Sequence, residues 1–151
     1  MARPSHHGRH RGAGRCSLNG RRVVDHVAVE VSDFDARVEF LTATMGMTLQ
    51  RMGELVSDPS RRVAMIGDGT GFKLELVEAR AETGGGADRL SHVAFRVDDV
   101  DAEVEALVAD GCVVERSARR FEPARSRTAT LTGRGDLQVQ LVAYDPDSPD
   151  R

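Results

Sequence analysis

The segment that decides the fold is His26-Val-Ala-Val-Glu-Val-Ser-Asp-Phe-Asp-Ala-Arg-Val-Glu-Phe-Leu41, because a close copy of it follows 66 residues later. That copy is His92-Val-Ala-Phe-Arg-Val-Asp-Asp-Val-Asp-Ala-Glu-Val-Glu-Ala-Leu107, and ten of the sixteen positions are identical. At an offset of 65 residues, Lys73-Leu-Glu-Leu-Val77 also falls on Gln138-Val-Gln-Leu-Val142. A match at both ends of so long a segment indicates that the chain contains an internal duplication.

The hydrophobic pattern of the first copy predicts one strand, one helix and three further strands. Apolar and polar residues alternate through residues 23–31, as they do in a half-buried strand. Ser32 or Asp33 can cap the helix that follows, and Gly46 ends it. Extended runs come next, near residues 47–53, 62–66 and 72–79, with a turn at Asp58-Pro59 and a glycine-rich turn after residue 66.

The second copy predicts the same elements in the same order. Residues 90–97 form its first strand, Asp98 or Asp99 caps its helix, and Gly111 closes that helix. Its other strands lie near residues 112–117, 127–131 and 137–144. We therefore expect an α+β protein in which two tandem βαβββ modules form one curved eight-stranded sheet, with the helices on its outer face.

Charge and composition set the limits of the modules. The first 22 residues hold six arginines, three histidines and no acid, which predicts a disordered basic tail. The modules then span residues 23–80 and 90–144, joined by a glycine-rich linker over residues 81–89. Residues 145–151 form a C-terminal tail.

Composition also excludes several classes of protein. Hydrophobic residues make up 40% of the chain and charged residues 30%, as in soluble globular proteins. No apolar run approaches the roughly 18 residues of a membrane span, so we expect no membrane partner. Five Phe, one Tyr and no Trp argue against a stacking surface for nucleic acid. Two cysteines form no disulfide framework, which favours a cytoplasmic protein.

Strand alternation assigns side chains to the two faces of the sheet. The apolar set should pack beneath the helices; it comprises Val27, Val29, Val31, Leu74, Leu76, Val93, Phe95, Val97, Val139 and Leu141. The opposite face then carries His26, Glu75, His92 and Gln140, one from the first and one from the last strand of each module. The duplication makes the two histidines equivalent, and likewise Glu75 and Gln140.

These four side chains can meet across a concave sheet as one divalent-metal site. Polar residues alternate on any solvated sheet face, so each residue alone is weak support, and the symmetry of the set favours ligation. Imidazole, carboxylate and amide oxygen together suit zinc, nickel, cobalt, iron or manganese. The sequence therefore predicts a central metal cup.

The two strand–helix starts and the two strand ends Leu74-Glu75-Leu76 and Val139-Gln140-Leu141 resemble the vicinal oxygen chelate superfamily. This superfamily includes glyoxalase I, methylmalonyl-CoA epimerase, extradiol dioxygenases and bleomycin- or fosfomycin-resistance proteins. The resemblance covers about residues 23–144 and implies the same four ligands. It also implies a homodimer and a small-molecule substrate.

The glyoxalase and epimerase branches imply a metal-dependent lyase or isomerase that removes a proton beside a carbonyl, with the enediolate stabilised by the metal. Glu75 would be the catalytic base as well as a ligand. Gln140 departs from those branches, which usually have a carboxylate there, and a neutral amide cannot act as a base. Glu54 is a candidate second base, although a solvated turn residue is the more common role for such a glutamate.

Two alternatives stay open at this point. A resistance-type protein would bind and sequester an antibiotic or metabolite without catalysis, and a dioxygenase would use the metal to activate oxygen. Gln140 weakens the dioxygenase alternative, because that branch usually has a glutamate there. A cluster of arginines borders the sixth and seventh strands and would suit a phosphate or carboxylate, or simply a solvated rim; its members are Arg116, Arg119, Arg120, Arg125 and Arg127.

Overall fold

The protein is described here by a computed structural model, which covers residues 21–81, 86–133 and 135–151. The predicted basic tail, residues 1–22, lies outside these ranges except for its last two residues, and the predicted linker, residues 81–89, lies partly outside them. The helices of the described segments are all too short or too polar to cross a membrane.

Eight strands form one curved sheet, in which each module contributes four neighbouring strands. The strands are β1 Val23–Val31, β2 Thr48–Leu55, β3 Asp58–Gly67, β4 Lys73–Glu78, β5 Arg89–Arg96, β6 Val113–Phe121, β7 Ser126–Thr132 and β8 Gln138–Tyr144. Their order across the sheet is β2-β3-β4-β1-β5-β8-β7-β6. This arrangement confirms the predicted α+β fold of two βαβββ modules.

The two modules meet at the centre of the sheet, where β1 pairs antiparallel with β5. Each of these strands pairs on its other side with the last strand of its own module, and that pairing is parallel in both cases. The first and last strands of each module are therefore neighbours, and the polar residues of both can face one concave surface.

Each module has one α-helix among the described residues, and an aspartate caps each of them; a short 3-10 helix, Glu122–Ala124, also lies between β6 and β7. Asp33 accepts a hydrogen bond from the Ala36 N–H at the start of α1 (Phe34–Glu39), and Asp99 does the same for Ala102 at the start of α2 (Val100–Ala109). The first helix differs from the prediction, because after Glu39 it continues as a π-helix over Phe40–Thr44 rather than as an α-helix, and Gly46 with its positive φ follows. Its last turn carries the bond from the Met45 N–H to the Phe40 carbonyl.

Two separate apolar cores lie between the helices and the sheet. The first core joins Phe34 of α1 to Ile66 of β3 and Leu76 of β4, with Val31 and Ala64. The second joins Val100 of α2 to residues of β7 and β8 and to the residue that follows β5; these are Ala129, Leu131, Leu141 and Val97, with Phe95 and Val139 packed against them. Val27, Leu74 and Val93, which were expected beneath the helices, are only half-buried and belong to neither core.

Strand boundaries differ most from the prediction at β3 and β6. The turn expected at Asp58-Pro59 lies two residues earlier, and β3 already begins at Asp58. Pro59 is tolerated inside a strand here because the β2–β3 register shifts between Glu54 and Leu55, so no regular ladder bond is required of it. Strand β6 continues to Phe121, four residues beyond its predicted end.

Candidate functional site

The two histidines of the duplicated motif lie next to each other at the centre of the concave face. In the antiparallel β1–β5 pair, His26 is opposite Ala94 and His92 is opposite Ala28. Both alanines are fully buried, and their small side chains leave room above them for the imidazole rings. The ring centroids are 5.5 Å apart in an edge-to-face arrangement.

Glu75 completes a cluster of three potential ligands. Strand β4 runs parallel to β1 and places Glu75 beside Ala28, so the carboxylate faces the histidines. Glu75 Oε2 lies 3.9 Å from His26 Nε2 and 3.6 Å from His92 Nε2. One ligand atom from each of the three residues lies within 4.8 Å of the others.

The donor atoms of this cluster fit a divalent cation. Both imidazole Nε2 atoms are buried and have no hydrogen-bond partner among the described residues. Buried polar atoms are normally paired, so two unpaired nitrogens aimed at one carboxylate call for a shared partner. Two ligands at about 2.1 Å from a tetrahedral ion are about 3.4 Å apart, close to the observed separations. The chemistry of the set, two imidazoles and a carboxylate, suits zinc and other transition metals.

A buried carboxylate holds the first imidazole in place. Asp25 lies where the β1–β5 register shifts, and this bulge lets it contact the adjacent His26, with 2.9 Å between Oδ2 and Nδ1. The Tyr144 hydroxyl donates to the same carboxylate at 2.8 Å, and Lys73 Nζ donates at 3.1 Å. Burial opposes ionisation of Asp25, but the bond from His26 and the charge of Lys73 outweigh it and hold its pKa below the usual value. An ionised Asp25 directs the Nδ1 proton of His26 to itself and leaves Nε2 free for a cation.

The second imidazole has a weaker partner. Ser91, the duplicate of Asp25, places its Oγ 3.2 Å from His92 Nδ1. Burial lowers the pKa of His92 to about 4; the neighbouring Glu75 carboxylate opposes this, and His26 and Arg116 add to it. His92 is therefore neutral at physiological pH, which is the protonation state of a metal ligand.

Gln140 occupies the position in the second module that Glu75 has in the first. On β8 it pairs with Ala94 of β5, just as Glu75 pairs with Ala28 of β1. Gln140 is half-buried and lines the same cavity as the three-residue cluster. The described structure thus brings His26, Glu75 and His92 together and sets Gln140 on the wall beside them.

The concave face encloses a cavity of about 400 Å³, large enough for a small organic ligand. Arg51 of β2 contributes to its wall, with Nη2 3.8 Å from Glu75 Oε1. The Arg51 Nε atom also donates to both carboxylate oxygens of Asp150, at 2.9 and 3.1 Å. Asp150 is only 1% exposed, and its carbonyl accepts a hydrogen bond from Lys73. The C-terminal residues therefore close one side of the cavity.

Sequence reasoning missed Asp25, Lys73, Tyr144, Arg51 and Asp150. The signal that would have found Arg51 is the duplication itself, because Arg116 follows it at the same 65-residue offset that relates Glu75 to Gln140. No sequence pattern reveals Asp150, whose position depends on how the last residues pack across the sheet.

The predicted arginine cluster divides into two groups. Arg116 and Arg119 line the cavity. The other three point elsewhere and pair with acids on the outer surface: Arg120 with Asp145, Arg125 with Asp147, and Arg127 with Asp101. Glu54, the candidate second base, is exposed and is not among the residues that line the cavity.

Known proteins resemble the chain over almost all of its described length. The sequence model of the Glyoxalase/Bleomycin resistance protein/Dioxygenase superfamily matches residues 23–149. A protein of Vibrio cholerae named as a probable lactoylglutathione lyase is 30% identical over 129 residues, covering 83% of this chain and 92% of its own.

Two solved structures are similar to the chain in fold and sequence. The methylmalonyl-CoA epimerase of Mycobacterium tuberculosis superposes with a TM-score of 0.66 and is 27% identical, covering 82% of this chain and 88% of its own. A variant of the Streptomyces coelicolor methylmalonyl-CoA epimerase, in complex with 2-nitronate-propionyl-CoA, gives a TM-score of 0.65 at 26% identity, covering 80% and 96%. Together with the eight-stranded fold, these matches show that the chain belongs to the glyoxalase/bleomycin resistance protein/dioxygenase superfamily.

Proposed function

We propose that this protein is a divalent-metal-dependent lyase or isomerase that moves a proton beside the carbonyl group of a small α-oxygenated compound or thioester. The observation that carries the proposal is the buried cluster of His26, His92 and Glu75, in which both imidazole Nε2 atoms have no partner among the described residues. The lyase and epimerase relatives support the reaction class.

In this proposal His26, His92, Glu75 and Gln140 hold the cation. When bound, the cation supplies Lewis-acid stabilisation of negative charge that develops on the substrate oxygen. The superfamily membership and the donor set support a bound metal.

Glu75 is the residue we assign to proton removal. Its two oxygens have different surroundings, because Oε2 faces the imidazoles and Oε1 faces Arg51 at 3.8 Å. One oxygen can therefore remain near the ligands while the other is directed by the guanidinium towards the cavity. A general base must reach the proton that it abstracts, and Glu75 lines the cavity with 14% of its side chain exposed.

Gln140 shapes the expected chemistry because it is neutral. Among the four proposed ligands Glu75 is the only carboxylate, and Glu54 is exposed outside the cavity. The other carboxylates on the cavity wall have partners: those of Glu30 and Asp150 form ion pairs with arginines, and that of Glu115 accepts a hydrogen bond from Thr132. A reaction in which one base both removes and returns the proton is therefore favoured over one that needs two matched carboxylates.

The experiment is a metal titration followed by an exchange assay. Purified protein is treated with chelator and titrated with Zn²⁺, Ni²⁺ and Co²⁺. The loaded protein is then incubated in D₂O with acyl-CoA thioesters and glutathione adducts. We expect stoichiometric binding and deuterium at the carbon beside the carbonyl of one substrate class. A chain that binds no divalent ion, or whose turnover persists in chelator, would contradict the proposal.

A metal-dependent oxygenase is the second candidate. Two histidines and one carboxylate are the ligand types of many non-haem iron(II) oxygenases, and His26, His92 and Glu75 provide them. Oxygen consumption by the iron-loaded protein with catechols would identify this activity, whereas the proton-transfer function is independent of oxygen.

Homodimer formation in the cytoplasm is part of the proposal. The homodimer is supported by exposed apolar residues on both edge strands, namely Leu49 and Met52 on β2 and Val113 and Val114 on β6. The cytoplasm is supported by the free thiol of Cys112. Analytical ultracentrifugation at micromolar concentration tests the assembly, and a single monomeric species would contradict it.

A further inference from the structure

The duplication places one arginine in each half of the cavity at equivalent positions. Arg51 of β2 is opposite Met65 of β3, and Arg116 of β6 is opposite Thr130 of β7, 65 residues later in both strands. Both arginines line the cavity. They are therefore the same structural residue in two modules, and their surroundings can be compared directly.

Arg51 has its charge neutralised by the chain itself. Both oxygens of the Asp150 carboxylate accept from Arg51 Nε, and Glu75 lies 3.8 Å from Nη2. The side chains of Arg51 and Asp150 are 10% and 1% exposed, so the pair is shielded from water. This contact shows that an arginine at this position of the fold can bind a carboxylate inside the cavity.

Arg116 has the same position without the acids. The residue that corresponds to Glu75 is the neutral Gln140, and no carboxylate of the described residues lies within ion-pair distance of Arg116. Glu115 also lines this half of the cavity, but its carboxylate accepts a hydrogen bond from the Thr132 hydroxyl, and the exposed guanidinium of Arg116 forms no ion pair with a described residue.

Arg119 adds a second cation to the same wall. Residues 116 and 119 are an odd number apart and would face opposite sides of a regular strand. The β6–β7 register shifts between them, and both line the cavity. No ion pair of Arg119 with a described residue is found, whereas Arg120, next to it, pairs with Asp145 and Glu122 outside the cavity.

We propose that Arg116, assisted by Arg119, is an anion subsite that binds a carboxylate or phosphate group of the substrate. That the bound molecule is the substrate rests on the proposed function; the anion subsite itself does not require a metal. A guanidinium suits both groups, because its parallel N–H donors match two oxygens. The substrate class is thereby narrowed to compounds that carry an anionic group besides the reacting carbonyl.

The test measures anion binding to chelator-treated protein, so that it is independent of metal. Malonate and inorganic phosphate are titrated by calorimetry into the wild type, Arg116→Gln and the matched control Arg120→Gln. We expect Arg116→Gln to weaken binding of the preferred anion about tenfold or more, because a charge-assisted contact is lost. Arg120→Gln changes it less than twofold, since that guanidinium is on the outer surface.

A second variant tests the same inference by restoring the acid of the first module. Gln140→Glu gives Arg116 the neighbour that Glu75 is for Arg51, and we expect it to weaken anion binding at least several-fold. The comparison of malonate with phosphate identifies which group the subsite takes. Far-UV circular dichroism and thermal unfolding verify that each variant is folded.

Two outcomes would overturn the inference. One is a wild type that binds neither anion at millimolar concentration, and the other is binding that is equal in the wild type, Arg116→Gln and Gln140→Glu. Failure of the proposed function is a separate observation, because it is seen as absence of metal binding or of exchange in the wild type.

Discussion

The two halves of the cavity have the same geometry and different chemistry. His26 and His92 occupy equivalent positions opposite Ala94 and Ala28, yet the strand beside the first histidine carries Glu75 and the strand beside the second carries Gln140. Duplication therefore preserves the backbone register that directs side chains into the cavity, while single substitutions assign each half its own role.

The difference extends to the residues behind the ligands. The first half has a buried network of charges around Asp25, with Lys73 and Tyr144 as its partners. In the second half, the Ser91 hydroxyl is the one group of the described residues that contacts Nδ1 of His92. We infer that the first half fixes the cation and supplies the base, and that the second half receives the substrate.

The largest expected effect comes from substituting Glu75, and it is compared with a substitution of its counterpart Gln140. Glu75→Gln should reduce turnover about 10²–10⁴-fold, because an amide cannot accept the proton, while metal is largely retained through its carbonyl oxygen. Gln140→Ala should lower turnover less than tenfold when metal is saturating. Both are measured by deuterium exchange and metal titration, and equal losses in the two variants would show that the halves do not differ in this way.

An effect on stability follows from the second histidine. The pKa of His92 is about 4 in the folded protein and about 6.5 in the unfolded chain. Between these values the unfolded state binds more protons than the folded state. The contribution of His92 to the unfolding free energy is therefore full above pH 6.5 and is lost as the pH falls to 4. We expect metal-free protein to lose about 3 kcal/mol of unfolding free energy across this window.

Urea unfolding at pH 7, 5.5 and 4 measures this loss, and His92→Gln is the control in which this contribution is missing. A wild type and a variant with parallel pH profiles would mean that His92 is accessible to protons in the folded state.

The smallest of the three effects is on metal affinity, and it compares the residues that contact Nδ1 of the two histidines. Asp25→Asn removes the charge that orients His26 and should weaken metal binding about 10–100-fold. Ser91→Ala, at the equivalent position, should weaken it less than threefold, since a neutral hydroxyl at 3.2 Å contributes little. Titration with Co²⁺, followed by its visible absorption, measures both.

Because Asp25→Asn removes the carboxylate that pairs with the buried Lys73, Tyr144→Phe serves as a milder variant that removes only one donor to Asp25. An intermediate loss of affinity is expected for it. If Asp25→Asn and Ser91→Ala weaken binding equally, the asymmetry behind the ligands has no role in holding the cation.

Much of the fold could be predicted because its signals are local and repeated. Strand alternation predicted the faces of His26 and Glu75, and the 66- and 65-residue offsets related them to His92 and Gln140. The π-helical form of the first helix over Phe40–Thr44 could not be predicted, because a π-helical turn uses the same residue types as an α-helical turn. The turn before β3 was misplaced because Pro59 indicates a turn unless a register shift accommodates it.

By itself the sequence determined the duplication, the order of strands and helices in each module and the side of the sheet on which the four predicted site residues lie, because periodicity and identity between the copies are properties of the chain alone. The tertiary structure decided which charges meet. Asp150 reaches Arg51 over 99 residues and Tyr144 reaches Asp25 over 119. Contacts between residues so far apart in the sequence depend on how the curved sheet and the last residues bring distant strands together. No local sequence pattern encodes such a pairing. The same cause gives Arg51 the Asp150 carboxylate, which has no counterpart beside Arg116 among the described residues.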